Sequence, residues 1–562
     1  MSLSSVSRTA LIAGCRGFVR AETGSMTVFA MSMLIMMLFI GGIAVDVMRY
    51  ENARTIMQNA MDRGALAAAD LDQTEDSQTV AEDYIAKAGL PDENYDVQVE
   101  EEFIGDTLVG RRVSATANYD VDTLFMHMLG IEELPIAAAS AAEEGINDIE
   151  ISLVLDVSGS MGANNKLENM QDAAEDFIDT VFGNSVDGRI MLSVVPYSSQ
   201  VNIGETLFDE LTTQHDHDYS YCVDFPGNSY STAAVDPVND TLSQAGHFDP
   251  WTRYDSGVTP RNRVCRTDSE FEVTPWSRNT TALKNQINAL EASGNTSIDI
   301  AMKWGVALLD PAMQPVLTDL TLGSSPAVDP VFVGRPAAYN NSNSIKIAVV
   351  MTDGINTTEY RLNDAFKRGN SGTWYDPDSR RYSLPLEEYR DTDGDNDWWE
   401  DWWYARNYGE GSYGRYWIDN AYDVNDDNDG RPEGPYDQVN KNDAAFQLTW
   451  PQLWNQMSLS HRAYEHFYRQ YGNSNHYYNN LYAPYSTVDD ATKDDRLDRI
   501  CTAAKSRGII VFSVGFEVTD DSAAVMRSCA SSPSHFYRVE GIDISIAFAS
   551  IANQINQLKL TQ

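Results

Sequence analysis

Two apolar runs, Ile151–Leu155 and Ile345–Met351, each lead into a short polar loop that carries an aspartate, Asp156-Val157-Ser158-Gly159-Ser160 and Thr352-Asp353-Gly354. Runs this short and this apolar read as strands buried on both faces, the kind that parallel sheets contain. Leu167, Met170, Ala174, Phe177, Ile178 and Val181 follow the first loop at the spacing of an amphipathic helix. The pattern recurs. Ile190–Pro196 reads as a second strand, Gly508–Phe516 as a buried one and His535–Val539 as an edge strand. Helices are expected over Asp489–Arg507, with Leu497, Ile500, Cys501 and Ala504 inward, and at the C-terminus, where Ile544, Phe548, Ile551, Ile555 and Leu558 share a face. Strands alternating with helices predict an α/β fold with a doubly wound, mostly parallel sheet. Loops at the carboxyl ends of its strands are where such a sheet places ligands.

The residues in those loops are carboxylates and hydroxyls. Asp156, Ser158, Ser160 and Asp353 are joined by Thr296, which lies in Ser293-Gly-Asn-Thr-Ser297 just before a helical segment around Ala301, Val306 and Leu309. With neither His nor Cys among them, they make a hard-oxygen site suited to Mg²⁺, or to Ca²⁺ or Mn²⁺. A lone Asp-x-Ser-x-Ser is more often a capped turn. Three such segments in strand–loop–helix context are a more specific signal.

This pattern resembles the von Willebrand factor A domain, a Rossmann-like fold, and its metal-ion-dependent adhesion site. The resemblance implies that the two serines and Thr296 contact the metal directly or through water, with the two aspartates beside or behind them. It also implies a coordination position completed by an acidic residue of a protein partner.

Met26–Val45 holds no charged residue, which is the length a helix needs to cross a bilayer. Arg8, Arg16 and Arg20 precede it with only Glu22 against them, favouring a cytoplasmic N-terminus and a bulk that is periplasmic or surface-exposed. A cleaved secretory signal is the rival reading. Against it, the helical pattern runs on through Ala53, Ile56, Met57 and Ala60 to Ala67–Ala69 with no evident small-residue cleavage site. The net charge of −43 excludes a nucleic-acid partner, since phosphate binding needs a basic face. Of the five cysteines, Cys15 precedes the apolar span and four follow it. Local pairing of Cys222 with Cys265 and of Cys501 with Cys529 is expected, in an oxidising compartment.

Gly24–Ala30, the apolar span, Ala44-Val-Asp46, Ala53-Arg54, Gln58-Asn-Ala60 and Ala65–Ala69 together resemble the N-terminus of TadE/TadG-like proteins of Flp pilus assembly. That resemblance implies a single-pass protein of a bacterial inner membrane whose partner is a pilus or envelope component. A pilin-type leader cut after Gly24 would want Glu at the fifth mature position, where Phe29 stands. The expected organisation is a cytoplasmic leader over 1–25, an anchor and long helix over 26–70 and a small β-rich module over 71–147. Residues 148–562 form the A domain, with insertions at about 200–280 and 358–488. Within the module, Tyr95–Glu100 and Arg112–Tyr119 alternate as half-buried strands do, and Leu124–Leu129 reads as a short helix.

The second insertion holds eight of the eleven tryptophans, among them Trp398, Trp399, Trp402 and Trp403. They read either as a binding surface or as the insertion's own core. Two acidic ladders in it, Asp391, Asp393, Asp395 and Asp397, then Asn425, Asp427 and Asp429, space oxygens as Ca²⁺ loops do. Trp402 and Tyr436 stand where a bidentate Glu would close them, and solvated loops are the alternative. His215, His217, His461, His466 and His476 read as exposed polar residues. Neither serine lies in a nucleophile elbow, so a binding protein is expected and not an enzyme. The alternative to a pilus role is a periplasmic scaffold built on the same A domain.

Overall fold

The computed structural model describes residues 25–71, 73–89, 94–104, 107–145, 147–183, 185–341, 343–377, 380–385, 415–417, 446–468 and 474–558. They fall into two compact units that divide between residues 146 and 147.

In the first unit, α1 (Ser25–Ala69) is one unbroken helix. Its apolar half is bare, with Met26, Met31, Met36 and Ile40 each more than half exposed. The other half turns Met57, Met61, Ala65 and Ala68 inward at intervals of three and four, one face of a helix. That face meets α2 (Ser77–Lys87) and an antiparallel meander of β1 (Tyr95–Ile104), β2 (Thr107–Asp122) and β3 (Glu133–Gly145). Val113, Ala115 and Ala117 of β2 alternate into the same core, as strand geometry requires. The short helix expected over Leu124–Leu129 is a single 3₁₀ turn at Met126–Leu129.

The second unit is built on a six-stranded sheet. Its elements in chain order are β4 (Asp148–Asp156), α3 (Lys166–Gly183), β5 (Ile190–Tyr197), β6 (Thr274–Ser277), α4 (Thr280–Ala289) and α5 (Ile298–Ala307). Then follow β7 (Ser344–Thr352), α6 (Asp490–Ser506), β8 (Ile510–Phe516), α7 (Asp520–Cys529), β9 (Phe536–Val539) and α8 (Asp543–Leu558). The spatial order is β9-β8-β7-β4-β5-β6, parallel throughout except for β6. Alternate residues of the central strands feed two apolar layers. Leu153, Leu155, Val349 and Met351 face α3, α4 and α8, while Val154, Ala348 and Val350 face α5 and α6. Helices therefore cover both faces. The one cation in the β7 run, Lys346, stands beside Glu150 on β4 and pairs with it inside the core.

Both insertions leave from the carboxyl side of the sheet. The first lies between β5 and β6 and carries the Cys222–Cys265 disulfide; Cys501–Cys529 links α6 to α7. Both pairs are the local ones. The second insertion leaves and returns through strands that pair with each other, Glu359–Leu362 against Tyr485–Val488. Phe248 and Val264 of the first insertion share one apolar core with Leu362, Leu448, Trp450, Leu453 and Trp454 of the second. Trp398, Trp399, Trp402 and Trp403 and both acidic ladders lie outside the described residues.

The histidines correct the expectation of exposure. His217 and His461 are buried and His466 is wholly so. His217 is enclosed by Gln244, the Ala245 carbonyl and the Tyr219 and His247 rings, a burial that composition alone does not reveal.

Candidate metal centre

β4 and β7 are neighbours at the middle of the sheet, yet the chain leaves them in opposite directions, toward β5 on one side and β8 on the other. That reversal opens a crevice at their carboxyl ends. Asp156 closes β4 and Asp353 directly follows β7, so the crevice is lined from segments far apart in sequence.

One chain of hydrogen bonds connects the lining. The Ser158 backbone N–H donates to Asp156 Oδ1 at 2.8 Å, and the Thr352 hydroxyl donates to Asp156 Oδ2 at 2.7 Å. The Ser158 and Ser160 hydroxyls are 3.1 Å apart, and Ser160 donates to Asp353 Oδ1 at 2.6 Å. Asp156, Ser158 and Asp353 are buried, whereas Ser160 is exposed and marks the side open to solvent.

Burial, and then the charge of Asp353 nearby, push the Asp156 carboxyl up to about 6. The only cation on these carboxylates among the described residues is Lys166, whose Nζ donates to Asp353 Oδ2 at 3.0 Å and lies 3.7 Å from Glu517. The crevice thus carries an excess of negative charge in a place that disfavours it, and a divalent cation would relieve it. An all-oxygen donor set fits Mg²⁺, Mn²⁺ or Ca²⁺. Among the described residues no group of three or more His, Cys, Asp or Glu could hold a metal, so any ion here must draw on hydroxyls beside the two carboxylates.

Thr296 reaches the crevice by a different route. Its loop lies against the first one: the Ser293 N–H donates to Val157 O at 2.9 Å and the Gly159 N–H to Gly294 O at 3.0 Å. Gly294 has a φ of +88°, and a Cβ there would fall 2.9 Å from the Ser199 hydroxyl on the loop after β5, so this close approach suits glycine. The Thr296 N–H donates to Thr357 Oγ1 at 2.8 Å, and its carbonyl accepts from Lys493 Nζ at 2.8 Å. The structure therefore brings Asp156, Ser158, Ser160 and Asp353 into direct hydrogen-bonded contact. It places Thr296 alongside through its main chain, with its hydroxyl outside that chain of bonds.

Three residues escaped the sequence reading: Thr352, Lys166 and Lys493. Thr352 stood in the quoted motif but not among the candidate ligands. Lys493 was recoverable, because 493, 497, 500 and 504 fall on one helical face, and its neighbours on that face are inward. Lys166 carries no such signal; it looks like the first solvent-facing residue of a helix.

The crevice belongs to a protein with a switch-point site on a parallel α/β sheet. Residues 24–71 match the family model described as putative Flp pilus-assembly TadE/G-like, so the N-terminal segment is TadE/G-like, as its residues implied. No curated protein matches this chain. Similar solved structures include the vWF domain of the type V pili tip protein Mfa5 from Porphyromonas gingivalis, at 11% identity and a TM-score of 0.31, covering 75% of this chain and 98% of that one. The pilus adhesin SpaC from Lactobacillus rhamnosus GG, in its open conformation, is similar at 10% identity and a TM-score of 0.29, covering 83% of this chain and 34% of that one. The pilus adhesin RrgA from Streptococcus pneumoniae is similar at 14% identity and a TM-score of 0.30, covering 82% and 49%. This chain spans half or less of the two adhesins, and likenesses of this size say nothing of what it binds.

Proposed function

We propose that this chain is a membrane-anchored, divalent-metal-dependent binding protein of Flp-type pilus assembly or surface adhesion, built on a von Willebrand A domain. The observation that carries the reading is the oxygen cluster at the switch point, where Asp156 and Asp353 from adjacent strands meet through Ser158 and Ser160. Both serines bond to oxygen neighbours and not to an imidazole, an arrangement suited to ligands more than to a nucleophile. Asp156, Ser158, Ser160, Asp353 and Thr296 would hold Mg²⁺, and an acidic side chain of a protein partner would complete its shell. The TadE/G-like segment supports a pilus or envelope component as that partner. α1 supports a single-pass anchor, with the arginines before it on the cytoplasmic side.

The test uses the full chain in detergent. Mg²⁺ at a hundredfold excess over its dissociation constant should stabilise it by about 2.7 kcal/mol through mass action. Asp156→Ala should remove that shift while the protein still melts cooperatively. Capture of envelope partners should require the metal and be lost alike in Thr296→Ala and Asp353→Ala. Equal metal-induced shifts in wild type and Asp156→Ala would refute the site, and capture that persists in a chelator would refute its adhesive role.

A further inference from the structure

We propose that the loop Leu124–Ile131 of the first unit is a second membrane contact, whose apolar side chains enter the interfacial layer of the bilayer that α1 crosses. The proposal rests on the reading of α1 as an anchor. Leu124, Phe125, Met128, Leu129 and Ile131 are 58%, 39%, 73%, 55% and 41% exposed, five large apolar side chains within one loop around a 3₁₀ turn. Elsewhere on the module Tyr84, Phe103 and Tyr119 are exposed singly, whereas a cluster of this kind marks a surface that meets something apolar.

Its position says what that is. The Asp46 carboxylate, the first charge after the apolar span, accepts the backbone N–H groups of Leu124, Phe125 and Met126 at 2.9, 2.8 and 2.7 Å. The loop is thereby fixed to α1 at the end of the span. Phe125 reaches further back. A Cβ on Gly42 would fall 2.5 Å from its Cγ, so the ring lies directly on the helix backbone there. Gly42 is inside the uncharged run, roughly 5 Å before its last residue at the helical rise. Whatever depth Gly42 has in the bilayer, Phe125 shares it, and the exposed neighbours of Phe125 flank the same level. Asp122, Glu132 and Glu133 border the loop. They oppose attraction to anionic lipid, so the contact is driven by apolar area and committed to the acyl boundary.

The experiment is spin-label accessibility on the full chain, reconstituted in phosphatidylcholine vesicles. Cys15→Ser removes the one cysteine outside the disulfides, and single labels are placed by Met128→Cys, Leu129→Cys, Met36→Cys and Glu100→Cys. Labels at 128 and 129 should show an oxygen-to-nickel-chelate accessibility ratio several-fold above that at 100 and approaching that at 36. A label at 36 in lipid with 128 and 129 as open to the nickel chelate as 100 would overturn the proposal and spare the anchor. A label at 36 in water would overturn the anchor and the proposal with it. Shielding of 128 and 129 from both reagents would assign the loop to a contact between copies, and not to lipid.

Discussion

Lys493 donates from inside α6 to Thr296 O, Ser297 Oγ and Thr357 O at 2.8, 2.7 and 2.7 Å, with Asp299 3.8 Å away. With the Thr357 hydroxyl and the Asn295 and Asn356 amides, it ties the Thr296 loop to the loop after β7, so it positions a candidate ligand without facing the crevice. Lys493→Met leaves Asp299 buried between the like charge of Glu359 and Arg496, its one remaining cation among the described residues, and should cost about 3–5 kcal/mol in urea titrations. The buried histidines make a separate prediction. Burial holds His217 down to about 4 and His247 to about 3, against roughly 6.5 in an unfolded chain. Between those values the folded form binds fewer protons than the unfolded one. Their contribution is therefore whole above pH ~6.5 and lost as the pH falls toward the folded values, on the order of 3–5 kcal/mol each. Asp156 and Asp299, both raised to about 6, slope the other way, so global melting would blend the two. Hydrogen exchange resolves them: amides of Asp216 and His217, which donate to Gln244, should lose about tenfold protection between pH 7.5 and 5.

At the scale of elements, α5 is buried all round, and at Gly305 it packs against the sheet so closely that a Cβ would stand 2.6 Å from Val154 Cγ2. Gly305→Val should destabilise by about 1–3 kcal/mol through overpacking, read as a lowered melting temperature with an unchanged helical signal. The Cys501–Cys529 bridge closes a loop of 28 residues, and reducing it should remove about 3–4 kcal/mol on the loop-entropy account. Elements such as β4, β7 and β8 were legible because a doubly covered strand must be apolar for its whole length. β6 was not: Thr274-Pro-Trp-Ser277 has no alternation and is placed by pairing with Leu192 and Val194 of β5. The site divides in the same way. Asp156, Ser158 and Ser160 are read from five consecutive residues, whereas the lysines that hold the site's parts together touch it only after the sheet has formed.

On the scale of the whole molecule, the two insertions have a common core, so neither is an independent appendage. Deleting 370–480 would strip Trp450, Leu453 and Trp454 from Phe248 and Val264, and the product should aggregate or bind a hydrophobic dye. Replacing 386–445 with a short Gly/Ser linker removes none of the described residues of that core and should leave a cooperative melt. A last consequence concerns mechanical load. The chain enters the second unit at the amino end of β4, and the candidate ligands sit at its carboxyl end. A membrane holding α1 and a partner held at Ser158 and Ser160 would therefore stretch β4 along its own axis. β4 lies between β5 and β7, parallel to both, so such tension loads its hydrogen bonds on both sides together, in shear. Peeling β9, which among the described residues pairs with β8 alone, would break its bonds one after another. Pulled between residues 147 and 160, the protein should rupture at a higher force than when pulled between 536 and 558, because the strand that carries the tether is also the one most firmly held.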